Sequence, residues 1–353
     1  MVMKQTPSII TLLPFLFLLA IFTEVEGAKK SYGVFDSNSV KLFIFGDSYV
    51  DTGNFLNSGA YKPPSGITFP GTPAGRLSDG RILTDYIASF LKIDSPVPYA
   101  LRNYSSLQYG MNFAHGGTGI FNTLVDGPNM TVQIDSFETL IQQNVYTKPD
   151  LESSVALVNA AGNDYATYTT KNGSIQDIPV FTESLIKQMT LNLRRIHSLG
   201  VRKIAVGLLQ PLGCLPLATQ VSSYDKCIDF FNVISQNHSQ MLLQTVQELN
   251  QEIGKSVFVT LDLYKSFLST IETMQKKRAE NSTLMNPLQP CCAGVSAEYN
   301  CGSVDEIGEK KYIVCEKPEL SFFWDTVHLC QNGWYEVSMM LQSSLGQLSE
   351  KNF

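Results

Sequence analysis

Lys41-Leu42-Phe43-Ile44-Phe45-Gly46-Asp47-Ser48 is a short apolar run that ends on a glycine and two small polar residues. A run apolar at consecutive positions, instead of at every second one, reads as a strand buried on both faces. The same form recurs three times. Val155-Ala156-Leu157-Val158 leads to Ala161-Gly162-Asn163-Asp164, Lys203 to Leu209 leads to Pro211-Leu212-Gly213, and Val257-Phe258-Val259-Thr260-Leu261 is the fourth run. Between the second and third, residues 181 to 199 set Leu185, Ile186, Met189, Leu193 and Ile196 at near-helical spacing, with Gly200 as the stop. Another long helical pattern runs from about Asp225 to Ile253. Doubly buried strands separated by helices predict an α/β fold: a mostly parallel sheet with helices on each side.

Composition narrows the class. Of 353 residues, 44% are hydrophobic and 16% charged, which excludes a disordered or fibrous chain. Lys and Arg number 26 against 32 Asp and Glu, and no basic run exceeds Lys276-Lys277-Arg278. A nucleic-acid partner needs clustered positive charge, so none is expected. No linker or repeat divides the chain after its first residues, and residues 28–353 read as a single domain, expected to be a monomer.

The N-terminus points to export. Lys4, the apolar run Ile9 to Phe22 and the small residues near Gly27 have the form of a secretory signal peptide, residues 1–27. No later stretch has the length and apolarity of a membrane span, so no integral membrane segment is expected after cleavage. Five glycosylation sequons agree, at Asn103, Asn129, Asn172, Asn237 and Asn281. His238 lies inside one of them and is expected at the surface. The seven Cys read as disulfides of an oxidising compartment, with one thiol left over. A zinc site is disfavoured because no Cys-x-x-Cys pair is present and no His lies between Cys291 and Cys315. No Lys-Asp-Glu-Leu retention signal ends the chain, and the expected location is extracellular or the cell wall.

In a parallel sheet, ligands sit at the carboxyl ends of the strands. There the sequence has Gly46-Asp47-Ser48, Gly162-Asn163-Asp164 and the glycine-rich Asn112-Phe113-Ala114-His115-Gly116-Gly117-Thr118-Gly119. Acyl transfer at such a site needs a nucleophile, a His base, a carboxylate to orient it and donors for an oxyanion. Four His are present. His197 is late in a helix, His115 adjoins the glycine-rich turn and is a rival base, and His328 has Asp325 three residues upstream, within reach from one turn. Asp47 reads as structural, bonding backbone amides before a turn.

Taken in order, Phe45-Gly46-Asp47-Ser48-Tyr49-Val50-Asp51-Thr52-Gly53-Asn54, Asn112 to Gly117, Gly162-Asn163-Asp164 and Asp325-Thr326-Val327-His328 resemble the blocks of the plant GDSL esterase/lipase family, the SGNH hydrolases. Gly75 to Arg81 and Pro211 to Pro216 resemble further segments of it. The resemblance implies a three-layer α/β/α, flavodoxin-like fold with Ser48 as nucleophile, His328 as base and Asp325 fixing its tautomer. It implies oxyanion donors from the N–H groups of Ser48 and Gly117 and the amide of Asn163. It implies a secreted serine esterase or lipase acting on small-molecule or lipid esters, with no metal or organic cofactor. Alternatives are an acyltransferase using the same acyl-enzyme and an inactive secreted binding glycoprotein. No Gly-x-Ser-x-Gly occurs, so the nucleophile elbow of the α/β-hydrolases is not expected. Three departures stand out. Tyr49 replaces the leucine of the family name and is expected to affect packing, His115 stands where serine is common, and Leu329-Cys330-Gln331 replaces Pro-Thr-Glu, offering Cys330 as a disulfide tether.

Overall fold

The computed structural model describes residues 40–349 and sets Lys41–Gly46, β1, in the interior of a six-stranded sheet. The expected signal peptide, residues 1–27, lies outside the described residues. Every strand pair in the sheet is parallel, and its other strands are β2 (Val97–Pro98), β3 (Gly110–Asn112), β4 (Ser154–Asn159), β5 (Lys203–Gly207) and β6 (Phe258–Leu261). The order is β2-β3-β1-β4-β5-β6. Without the two-residue β2 this is the flavodoxin-like order, in which the second strand lies beside the first and the chain then proceeds outward on the other side. Four of these strands are the four apolar runs. β2 and β3 carry proline, glycine and asparagine in place of an apolar run, and their place comes from pairing with neighbours.

The helices are α1 (Leu83–Phe90), α2 (Met130–Gln142), the short α3 (Lys148–Glu152), α4 (Gly162–Thr170), α5 (Ile178–Ser198), the short α6 (Pro216–Thr219), α7 (Asp229–Ile253), α8 (Leu263–Glu280), α9 (Gln331–Met340) and α10 (Gln342–Leu348). The α5 helix starts ahead of its apolar pattern because Pro179 occupies its first turn, where a missing N–H breaks no helical bond. Alternation along β1 separates two cores. Phe43 and Phe45 face α2, α5 and α7, while Leu42 and Ile44 face α1, α8, α9 and α10. All four are fully buried, which makes three layers out of one strand's pleat.

The cysteine-rich region is a small annex. Here β7 (Cys292–Gly294) and β8 (Tyr312–Val314) pair antiparallel. Disulfides Cys291–Cys315 and Cys292–Cys301 staple it, and Cys214–Cys227 closes a third loop. Cys291 N and Cys292 N donate to the carbonyls of Phe323 and Trp324. Cys330 is not the tether that its sequence position suggested. It is buried and free, because the neighbouring half-cystines are already paired with one another. No helix among the described residues is long and apolar enough to cross a membrane.

The Phe43 ring packs 4.5 Å from Phe137 and 4.8 Å from Tyr146, centroid to centroid. Phe43→Ala is expected to lower unfolding free energy by about 3–5 kcal/mol. Urea unfolding under oxidising conditions reads this, and an unchanged midpoint would contradict the packing.

Candidate active site

The strands β1, β3 and β4 end nearly level, with Ile44 paired to Asn112 and Gly46 to Asn159. Because β1 has β3 on one side and β4 on the other, the loops leaving these strands diverge and open a crevice at their carboxyl ends. Ser48 follows β1, Gly117 follows β3 and Asn163 follows β4. Gly46 makes the close approach possible. Its φ is +146°, and a Cβ there would lie 1.9 Å from the Asn159 carbonyl oxygen. Gln133 of α2, itself buried, holds both polar groups of this residue. Its Oε1 accepts the Gly46 N–H at 2.8 Å and its Nε2 donates to the Gly46 carbonyl at 2.9 Å. Nothing local in the sequence marks Gln133, since its partner is 87 residues away.

Across this crevice His328 Nε2 lies 2.9 Å from Ser48 Oγ, with Ser48 8% and His328 9% exposed. His328 Nδ1 lies 2.8 Å from Asp325 Oδ2 and 3.0 Å from Oδ1. Asp325 Oδ1 also accepts the backbone N–H groups of Val327 and His328 at 2.9 and 2.8 Å. The three-residue spacing is therefore one tight turn built around its own carboxylate. Burial alone pushes the Asp325 carboxyl up, but the adjoining imidazole and these N–H groups outweigh it and hold it below the usual carboxylate range.

Two sequence blocks without an assigned role brace this turn. In Gly75 to Arg81, Ser78 Oγ donates to the Leu329 carbonyl at 2.9 Å and Asp79 accepts the Gln331 N–H at 2.7 Å. Just past Pro211 to Pro216, Leu217 N donates to the Thr326 carbonyl at 2.8 Å.

The glycine-rich turn is tied to the loop after β1 by Asp51, which accepts N–H groups from Gly53 at 2.7 Å, Asn54 at 2.6 Å and Gly116 at 2.9 Å. Gly117 has φ +79°, and a Cβ there would lie 2.5 Å from Val125 Cγ2. Asn163 stands in the first turn of α4, just after Ala161, whose φ of 121° is a strained value for a residue with a Cβ. Its Nδ2 donates to the Thr118 carbonyl at 3.0 Å, which pins the amide to the turn and leaves its second hydrogen spare. Asp164 reinforces the join by accepting the N–H groups of Ile120 and Phe121 at 3.0 and 2.8 Å.

Among the described residues, no histidine other than His328 hydrogen-bonds Ser48. The His115 Nδ1 lies 2.9 Å from the Gly116 carbonyl and its ring packs 4.8 Å from Phe55. His197 is in the last turn of α5, near the Val201 carbonyl. His238 is not at the surface, as its sequon suggested, but fully buried. The α7 helix turns Asn237 outward and His238 into the core, where its Nδ1 meets Tyr165 Oη at 3.1 Å and burial lowers its pKa to about 4. Asn103, Asn172 and Asn281 are exposed, and Asn129 is half-buried as the cap of α2.

A family model described as GDSL-like lipase/acylhydrolase matches residues 42–337. The chain belongs to that family. It is similar to GDSL esterase/lipase At5g03610 of Arabidopsis thaliana, 49% identical over 330 residues that cover 91% of each chain. A second relative from that plant, GDSL esterase/lipase At3g09930, is 43% identical across 94% of this chain and 96% of its own. Acetylajmalan esterase 2 of Rauvolfia serpentina is 29% identical across 89% of this chain and 92% of its own. As a member of this family the chain is a carboxylic ester hydrolase.

Asp47, beside the family serine, sits almost wholly out of water. Burial raises its pKa from 3.8 to about 7, against the opposing pull of the Tyr49 N–H and the His328 charge. The fold therefore keeps a proton that the unfolded chain gives up, and the stability this contributes is complete below the unfolded value and lost as pH rises through about 7. Asp47→Asn keeps the Oδ1 acceptor without the charge. Its Tm relative to wild type is expected to climb from about pH 4 to about pH 8, and a constant offset would mean that Asp47 does not titrate in this window.

Proposed function

We propose that the protein is a secreted serine esterase or lipase that cleaves carboxylic esters of small molecules or lipids through an acyl-enzyme on Ser48. The observation that carries this reading is the unbroken series from Ser48 Oγ to His328 Nε2 at 2.9 Å and from His328 Nδ1 to Asp325 Oδ2 at 2.8 Å. With Nδ1–H donating to Asp325, Nε2 keeps its lone pair facing the serine hydroxyl.

In the first half-reaction Ser48 Oγ bonds to the ester carbonyl carbon while its proton passes to Nε2. The bond to the leaving oxygen then breaks, and the imidazolium returns the proton to the departing alcohol. In the second half water gives a proton to Nε2 as its oxygen bonds to the acyl carbon, and Ser48 leaves reprotonated with the acid released. The negative oxygen formed in each half is met by the N–H groups of Ser48 and Gly117 and by the spare hydrogen of the Asn163 amide. These donors come from the three adjacent strand ends, so their spacing is set by the sheet.

Export is supported by the three disulfides, by the apolar run Ile9 to Phe22 and by the five sequons. On this reading residues 1–27 are a removable leader and residues 28–353 one catalytic domain working as a monomer outside the cell or in the cell wall.

A fluorophosphonate probe is expected to label the wild-type protein and not Ser48→Ala; a folded wild type that stays unlabelled would overturn the assignment. Asn163→Ala is expected to lower kcat by about 10²–10³ with little change in KM, measured on a short-chain p-nitrophenyl ester. A loss confined to KM would move Asn163 from oxyanion binding to substrate binding.

A further inference from the structure

Tyr49 stands where the family name carries leucine, next to the serine in sequence, and its side chain does something a leucine cannot. Its hydroxyl donates to the Val327 carbonyl at 2.7 Å, across 278 positions of the chain. That carbonyl belongs to the peptide unit joining Val327 to His328. The N–H at the other end of the same unit donates to Asp325 at 2.8 Å. Tyr49 and Asp325 therefore grip one peptide plane from opposite ends, and this plane sets the direction in which the His328 side chain leaves the backbone.

The ring is as closely held as the hydroxyl. Tyr49 is 5% exposed, meets Trp334 edge-on at 5.1 Å and stacks at 6.3 Å from Phe267. Its centroid lies 6.1 Å from that of the His328 imidazole. The Tyr49 N–H donates to Asp47 at 3.1 Å. Burial, reinforced by the charges of Asp47 and Asp325, pushes the phenol pKa well above its ordinary value, so the group remains a donor throughout the working pH range.

We infer that Tyr49 is a positioning residue for the proton transfer between Ser48 and His328, its hydroxyl fixing the Val327–His328 peptide and thereby the distance from Nε2 to Oγ. It touches neither substrate nor reacting atoms and acts through His328. A strut from the residue after the nucleophile to the residue before the base measures the gap that the proton crosses. Leucine in this place fills part of the same space and leaves the Val327 carbonyl without this donor. The inference rests on the proposed roles of Ser48 and His328.

Tyr49→Phe removes the hydroxyl and keeps the ring. On a short-chain p-nitrophenyl ester its kcat is expected to fall about tenfold with KM held within about twofold, and the rate of fluorophosphonate labelling to fall by a similar factor. If Tm drops, both rates are read about 15 °C below the lower midpoint, where either protein is folded. A residue acting through His328 has nothing left to position once His328 is gone. In a His328→Ala background, Tyr49→Phe is therefore expected to leave the residual turnover unchanged. A Tyr49→Phe variant with wild-type kcat and labelling rate would overturn the inference, as would a tenfold loss that persists without His328. Ser48→Ala separates the two levels. Turnover surviving in Ser48→Ala sinks the catalytic reading itself, whereas a dead Ser48→Ala beside a fully active Tyr49→Phe sinks the positioning role alone.

Discussion

Ser48 and His328 stand 280 positions apart and meet at 2.9 Å, a contact that the surrounding structure exists to hold. A hydrogen bond of this kind weakens steeply with misalignment, and a displacement of about 1 Å in a reacting group can cost a factor of about 10² in rate. The two partners are supported in different ways. Ser48 is fixed by the sheet, since it follows a strand whose last residue has its N–H and carbonyl clamped by Gln133. His328 has no long strand beneath it. Its turn is held by Asp325 from within and by Ser78, Asp79, Leu217 and Tyr49 from three separate stretches of chain.

That support has a thermodynamic cost. Asp47 and Asp164 are buried carboxyls raised to about 7 and about 6, each removed from water to serve backbone N–H groups at the edge of the crevice. Buried polar groups in a network are tolerable only when nearly all are satisfied. Asn54 illustrates the standard reached here, donating to the carbonyls of Asn112 and Ala114 and accepting from the Ala100 N–H. The apolar layers on either side, with Phe43 and Phe45 on one face and Leu42 and Ile44 on the other, supply the surplus that makes such a polar rim affordable.

Much of this could be read from the chain itself. The central strands announce themselves because burial on both faces forces consecutive apolar residues, and Ser48, Asp325 and His328, which the structure brings within hydrogen-bonding distance of one another in series, stand out because a proposed nucleophile, base and orienting carboxylate must be of few residue types. What could not be read depends on distance in sequence. β2 and β3 are too short for any periodicity, and they exist through pairing with β1 and with each other. Gln133 and Ser78 are ordinary letters until their partners are known. His238 misled because a local rule, that a sequon is exposed, applies to its asparagine and not to the next residue, which a helix turns about 100° away. Cys330 misled because proximity in sequence to a cysteine-rich stretch does not make a partner, and its neighbours Cys291 and Cys292 were already taken.

The stapled hairpin of β7 and β8 hydrogen-bonds to Phe323 and Trp324, the two residues just before Asp325. Its covalent closure therefore bears on the carboxylate that orients the imidazole.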